Sequence, residues 1–216
     1  MILNNFLKRF LTSLALLLLV LLILNYDIIL VYCLILLSVV SVLEFLKIIN
    51  KILRNKIFIA ISSFLFISYI FLFSVMFFIL NNFIQLKFIL FVILLGCVAS
   101  DLGGYIFGKI FKGPRLTKIS PNKTYSGAIG SLVCTIVLMH IFFSYFISLN
   151  NFQVIIIGLV TSIFCQLGDL FFSYLKRKAK IKDTGNFFPG HGGVLDRIDG
   201  ILLGLPIGFI TLNIIY

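Results

Sequence analysis

Charged residues are scarce in this chain. Asp, Glu, Lys and Arg make up 12% of its 216 residues and hydrophobic residues 61%, against about 25% charged and 45–50% apolar in a soluble domain. Water cannot be the main solvent of such a chain. Nearly charge-free runs of about 18 residues or more, the length a bilayer core demands, recur along its whole length. No appended soluble domain is expected.

Acidic residues are the rarest of all, 7 against 18 Lys and Arg, for a net charge of +11. A basic excess can serve nucleic acid, but in a chain this apolar it first reports which loops stay in the cytoplasm. No nucleic-acid partner is expected. Cysteine is limited to Cys33, Cys97, Cys134 and Cys165, each alone in an apolar run with no CxxC pair, so all four read as reduced packing residues. The absence of HExxH and of any Cys/His cluster argues against zinc chemistry, and the absence of GxSxG against a serine nucleophile. No internal repeat or inverted symmetry points to a secondary transporter.

What is present is a series of spans, best placed at 8–25, 27–46, 56–80, 86–108, 127–149, 152–175 and 198–215. The N-terminal segment has the basic and apolar parts of a signal peptide but no small-x-small cleavage site, so it counts as the first span. With the N-terminus inside, every Lys and Arg except Lys87 falls on the cytoplasmic side, a segregation that a wrong parsing would scramble. The expected fold is therefore all-α, a polytopic membrane helical bundle of about seven spans, N-terminus in and C-terminus out. Residues 1–85 form N-terminal hydrophobic helices, about three spans, and 86–216 a catalytic membrane domain with cytoplasmic loops near 109–126 and 176–197. Gly104 and Gly108, and Gly200, Gly204 and Gly208, recur every four positions and predict close helix packing.

Two acids, Asp101 and Asp169, lie well inside spans next to the long basic loops. Asp101 stands eight residues before Lys109 and Asp169 seven before Lys176, so at 1.5 Å per residue both lie roughly 10–12 Å below the same face. Carboxylates at matching depth can meet, and an ionised Asp in a bilayer needs a polar cavity and a partner. Asp196 and Asp199, three residues apart, share a helical face if the last span begins there. Four convergent carboxylates would suit Mg²⁺ or another divalent cation shared with phosphates. His191 stands in Pro189-Gly190-His191-Gly192-Gly193, an irregular backbone whose N–H groups could cradle an anion or simply form a reentrant turn. His140, alone in an apolar span, reads as a packed or hydrogen-bonded core residue. The sequence Gly103 to Lys109 fits GxxxxGK, but Ile110 cannot supply the metal-binding hydroxyl of a P-loop.

From Ser173 to Asp199 the chain reads SYLKRKAKIKDTGNFFPGHGGVLDRID. This stretch resembles the signature of the phosphatidate cytidylyltransferase (CDP-diacylglycerol synthase) family. Ser173, Lys176, Arg177, Lys182, Asp183, Gly185, Pro189, His191, Gly192, Gly193, Asp196, Arg197 and Asp199 all fall at that family's spacing. Further resemblance runs through Ser100-Asp101 to Gly108-Lys109, through Ser120-Pro121-Asn122-Lys123-Thr124 with Gly127 and Gly130, and through Gln166 with Gly168-Asp169-Leu170. It covers about 100–216, and the first hundred residues match only in being hydrophobic. At two places where the family commonly carries Glu this chain has Ser126 and Phe172, which favours a supporting role for those acids.

The resemblance implies transfer of the cytidylyl group of CTP to phosphatidate, giving CDP-diacylglycerol and pyrophosphate, in a bacterial inner membrane. By that implication Asp169, Asp196 and Asp199 hold the metal with Asp101 beside them. Lys176 and His191 join the three as catalytic groups. Lys123, Ser173, Arg177, Lys182, Asp183, Gly192, Gly193 and Arg197 then bind substrate, CTP or the phosphatidate head group. Two other readings stay open: a CTP-dependent polyprenol or phytol kinase, and a cation-coupled transporter using Asp101 and Asp169. The oligomeric state also stays open, a homodimer among the options.

Overall fold

The computed structural model describes residues 22–23, 25–117, 120, 123–146, 149–185, 187 and 192–216. Among these residues the fold is all-helical, with an isolated bridge between Arg115 and Thr124. Six helices are long and apolar enough to cross a membrane: α1 (Asp27–Ile52), α2 (Lys56–Asn81), α3 (Ile84–Phe111), α4 (Tyr125–Phe146), α5 (Asn151–Lys178) and α6 (Leu195–Ile215). Each coincides with one of the expected spans from 27 onward. The expected span 8–25 lies outside the described residues except at 22, 23 and 25. Many large apolar side chains face outward, among them Ile28, Phe58, Phe64 and Ile84, as a lipid solvent permits. The chain is a multi-pass membrane protein.

Two compact units are present, one of residues 1–78 with 175–197, the other of 79–174 with 198–216. In the first, α1 and α2 pair across a short turn in which Asn55 Oδ1 accepts the Ile57 N–H at 2.9 Å, an N-cap for α2. Phe45 and Phe66 stack with centroids 3.9 Å apart, and Ser38 and Ser74 share a hydrogen bond at 2.8 Å. The end of α5 is fixed by Lys180 in the left-handed region (φ 56). Its N–H donates to Arg177 O at 3.0 Å and the next N–H, of Ile181, to Lys176 O at 3.0 Å. That pair of bonds is a Schellman stop, here made by lysine instead of the usual glycine. The basic last turn, Lys176 to Lys178, also complements the helix dipole.

In the second unit α3 packs along α4 through glycines. A Cβ on Gly127 would come 2.7 Å from Gly104 O, and one on Gly104 would come 2.7 Å from Ser131 Oγ. Only backbone fits there, which is how helices associate closely in lipid. Ser131 Oγ donates to Ser100 O at 2.6 Å, and Ser100 Oγ bonds Ser162 Oγ of α5 at 2.9 Å. Gly204 lets α6 lie against Cys97 and Cys165, whose thiols are free. The Gly103 to Lys109 segment is continuous helix, as its rejection as a P-loop required.

Candidate active site

In the second unit a cavity of about 250 Å³ opens between α3, α4 and α5. Its lining includes Asp101, Tyr105, Lys123, Thr124, Gln166 and Asp169. The two carboxylates at matched depth thus line one cavity. Asp101 comes from α3 because Gly104, one turn on, lets α4 approach to backbone distance. Asp169 comes from α5, where Gly168 packs against the backbone of Asp199.

Lys123 arrives from the loop between α3 and α4. The loop closes on itself: Leu116 N–H donates to Lys123 O at 2.7 Å and Tyr125 N–H to Pro114 O at 3.1 Å. Thr124 then caps α4, its Oγ1 accepting the Gly127 N–H at 3.1 Å. This fixes Lys123 one residue before the cap, with its ammonium on the Asp169 carboxylate. Ser173 Oγ lies 3.5 Å from Asp169 Oδ1, a long hydrogen bond from the next turn of α5. Asp101 Oδ1 meets the Cys165 thiol at 3.7 Å. Gln166 is held by Ala128 O and Ser162 Oγ, each at 3.3 Å. The cavity therefore combines two acids, one ammonium and several neutral oxygens inside an apolar bundle.

The first unit holds the other cluster of predicted residues. Lys176 Nζ meets Asp196 Oδ1 at 2.8 Å. Asp196 Oδ2 accepts the Thr184 N–H at 2.9 Å and the Gly193 N–H at 3.1 Å. Gly192 takes φ +84, and a Cβ there would also press on Asp196 Oδ2 at 3.2 Å. Both the backbone angle and the space ask for glycine. Arg177, Lys182, Asp183 and Arg197 are exposed, the placement expected of groups that meet a solute. His191 lies outside the described residues, as do Pro189 and Gly190. Asp199, in the second unit, is buried, and its Oδ1 accepts the Gly200 N–H at 2.9 Å. Among the described residues no three His, Cys, Asp or Glu side chains gather into a metal-binding group.

The residues at the two departures are both accommodated. Ser126 Oγ accepts the Gly113 N–H at 3.3 Å and bonds Thr124 Oγ1 at 3.0 Å, tying the loop to the start of α4. Phe172 is buried and meets Phe171 edge to face at 5.3 Å.

Glu44 was given no role by the sequence reading. It is 3% exposed on α1. Its Oε2 accepts from Thr184 Oγ1 at 2.7 Å and from Leu195 N–H at 2.9 Å, and its Oε1 accepts from Val194 N–H at 3.1 Å. A carboxylate within an apolar run is itself the signal that could have found it.

The fold defines a multi-pass helical membrane protein, and each of its two units holds a cluster of acidic and basic side chains. The cytidylyltransferase family model matches residues 3–215, and the chain belongs to that family. It is similar to the phosphatidate cytidylyltransferase of Staphylococcus haemolyticus, 43% identical over 111 residues, which cover 50% of this chain and 42% of that protein. It is also similar to that of Mycobacterium leprae, 37% identical over 126 residues, 58% of this chain and 40% of the relative. The Staphylococcus aureus (strain COL) protein of the same name is 43% identical over 111 residues, 50% of this chain and 42% of its own. The match thus spans less than half the length of these curated relatives.

Proposed function

We propose that the chain is a phosphatidate cytidylyltransferase. The observation that carries the reading is the cavity in which Asp101, Asp169 and Lys123 meet, in a chain of the cytidylyltransferase family. An oxygen of the phosphatidate phosphate attacks the α-phosphorus of CTP, and the bond from that phosphorus to the oxygen bridging it to the β-phosphate breaks. CDP-diacylglycerol and pyrophosphate result, and no enzyme nucleophile is needed. Two anions must approach and a third must leave, so catalysis consists of neutralising charge and aligning the attacking and leaving oxygens.

The donor set of the cavity suits a hard divalent cation. Its ligands are carboxylate and hydroxyl oxygens, and an ammonium already rests on Asp169, so positive charge is stable there. Asp169 and Asp101 would hold Mg²⁺, whereas Asp199, buried on α6 with Oδ1 on the Gly200 N–H, does not line this cavity. A bound cation would draw negative charge off the reacting phosphates. Lys123 screens the same charge from its place on the Asp169 carboxylate. Lys176, steadied by Asp196, and the exposed Arg177, Lys182 and Arg197 take the triphosphate. His191, by the family resemblance, would be a further phosphate-binding group. The basic side faces the cytoplasm, where CTP is, with the N-terminus inside and the C-terminus outside a bacterial inner membrane. Phosphatidate enters from the bilayer with its tails in lipid.

The test is purified protein in detergent with phosphatidate, Mg²⁺ and CTP labelled at either the α or the γ phosphate. Label from the α position should appear in lipid and label from the γ position in pyrophosphate. Label from the γ position in lipid would make the chain a lipid kinase, and no labelled lipid at all would remove both readings.

A further inference from the structure

Glu44 lies far in sequence from the signature segment, yet its carboxylate is fully engaged there. Val194 and Leu195 open α6, and the first N–H groups of a helix have no acceptor within it. Glu44 supplies that acceptor, at 3.1 Å for Val194 and 2.9 Å for Leu195, and places a negative charge at the positive end of the helix dipole. The fit around it is tight. A Cβ on Gly193 would come 2.5 Å from Glu44 Oε2, and one on Gly185 would press on Oε1. These two signature glycines thus form the notch that admits the carboxylate.

Thr184 links this anchor to the Lys176 ion pair. Its hydroxyl stands 2.7 Å from Glu44 Oε2 and 3.1 Å from Asp196 Oδ2, while its N–H donates to Asp196 at 2.9 Å. Asp196 in turn holds Lys176 Nζ at 2.8 Å. A continuous chain of hydrogen bonds runs from α1 through Thr184 and Asp196 to the ammonium of Lys176.

We propose that Glu44 is a positioning residue for the phosphate-handling segment, setting the first turn of α6 and, through Thr184 and Asp196, the placement of Lys176. Its consequence for turnover rests on the cytidylyltransferase reading; its anchoring of the segment does not. The charge and both oxygens are needed. Glutamine keeps the length but offers one acceptor, and its NH₂ faces backbone donors. Aspartate keeps the charge but is one methylene short.

The experiment compares the full chain in detergent as wild type, Glu44→Gln, Glu44→Asp, Thr184→Val and the Glu44→Gln/Thr184→Val double variant. Ser41→Ala is the control, since the Ser41 hydroxyl on the same helix is buried without a hydrogen-bond partner among the described residues. Amide hydrogen exchange over 184–195 and steady-state kinetics are read on each. In Glu44→Gln the Val194 and Leu195 amides should exchange at least about tenfold faster. Its kcat should fall about 30-fold, with the phosphatidate KM within about twofold. Glu44→Asp should recover part of kcat, and Ser41→Ala should match wild type. Thr184→Val, which keeps the shape and removes only the hydroxyl, guards against Glu44→Gln failing to fold. Alone it should lower kcat about fivefold, and in the double variant it should add little, because the two act in one chain. Unchanged exchange in Glu44→Gln overturns the anchor. Changed exchange with wild-type kcat, or strictly additive losses, overturns the positioning role. A wild type that does not turn over contradicts the functional reading instead, and the exchange result still decides the anchor.

Discussion

The two acidic centres of this protein are opposites in how they are satisfied. In the first unit Glu44 and Asp196 have oxygens filled by backbone N–H groups, the Thr184 hydroxyl and Lys176. In the second unit Asp101 and Asp169 face a cavity, with a thiol at 3.7 Å on one and Lys123 and a 3.5 Å serine contact on the other. A carboxylate saturated with short bonds holds structure, because each bond lost leaves a buried polar group unpaired. A carboxylate with weak or exchangeable partners has spare acceptor capacity, which is what a cation and its phosphates require. On the proposed reading the carboxylate group does two jobs in one membrane protein, and the number of its bonds tells them apart.

The difference can be broken at either centre. Asp169→Asn should have the largest effect on chemistry, lowering kcat by about a thousandfold, with little change in the thermal unfolding midpoint in detergent. Loss of folding instead would show that this centre also holds structure. Asp196→Asn should invert the pattern, reducing stability by about 2–4 kcal/mol as Lys176 loses its charged partner, with loss of turnover following from a disordered segment. Denaturation of the two variants in parallel separates them. The smallest effect is expected from Ser126→Glu, which restores an acid near the N-terminus of α4. The helix dipole favours it by about 0.3–1 kcal/mol, and kcat should shift by less than about threefold. A larger gain would mean that the departure at 126 limits the enzyme.

Much of the fold was legible because lipid solvation leaves so plain a mark. Every apolar run from 27 onward became a helix of span length. The helix ends were less legible. α1 runs on past 46 to Ile52, carrying Lys47 and Lys51 within the helix, because long basic side chains can reach the interface while their backbone stays helical. α6 begins at Leu195, not 198, because Glu44 receives its first N–H groups. Depth counting brought Asp101 and Asp169 to one cavity, since along a helix depth is simply residue number. It could not bring Glu44 to Thr184, 140 residues away, because no local periodicity encodes a pairing between distant segments. Nor did it show that Asp196 is already spent on Lys176 and the loop backbone.

The open centre is the one proposed to receive a cation. The most direct measurement is Mn²⁺ binding by electron paramagnetic resonance to the detergent-purified chain, with CTP present and Mg²⁺ as competitor. Wild type should bind Mn²⁺ and release it to Mg²⁺, Asp169→Asn should lose this binding, and Glu44→Gln should weaken it at most about threefold, since its oxygens are already filled. Binding that survives in Asp169→Asn but vanishes in Glu44→Gln would contradict the account.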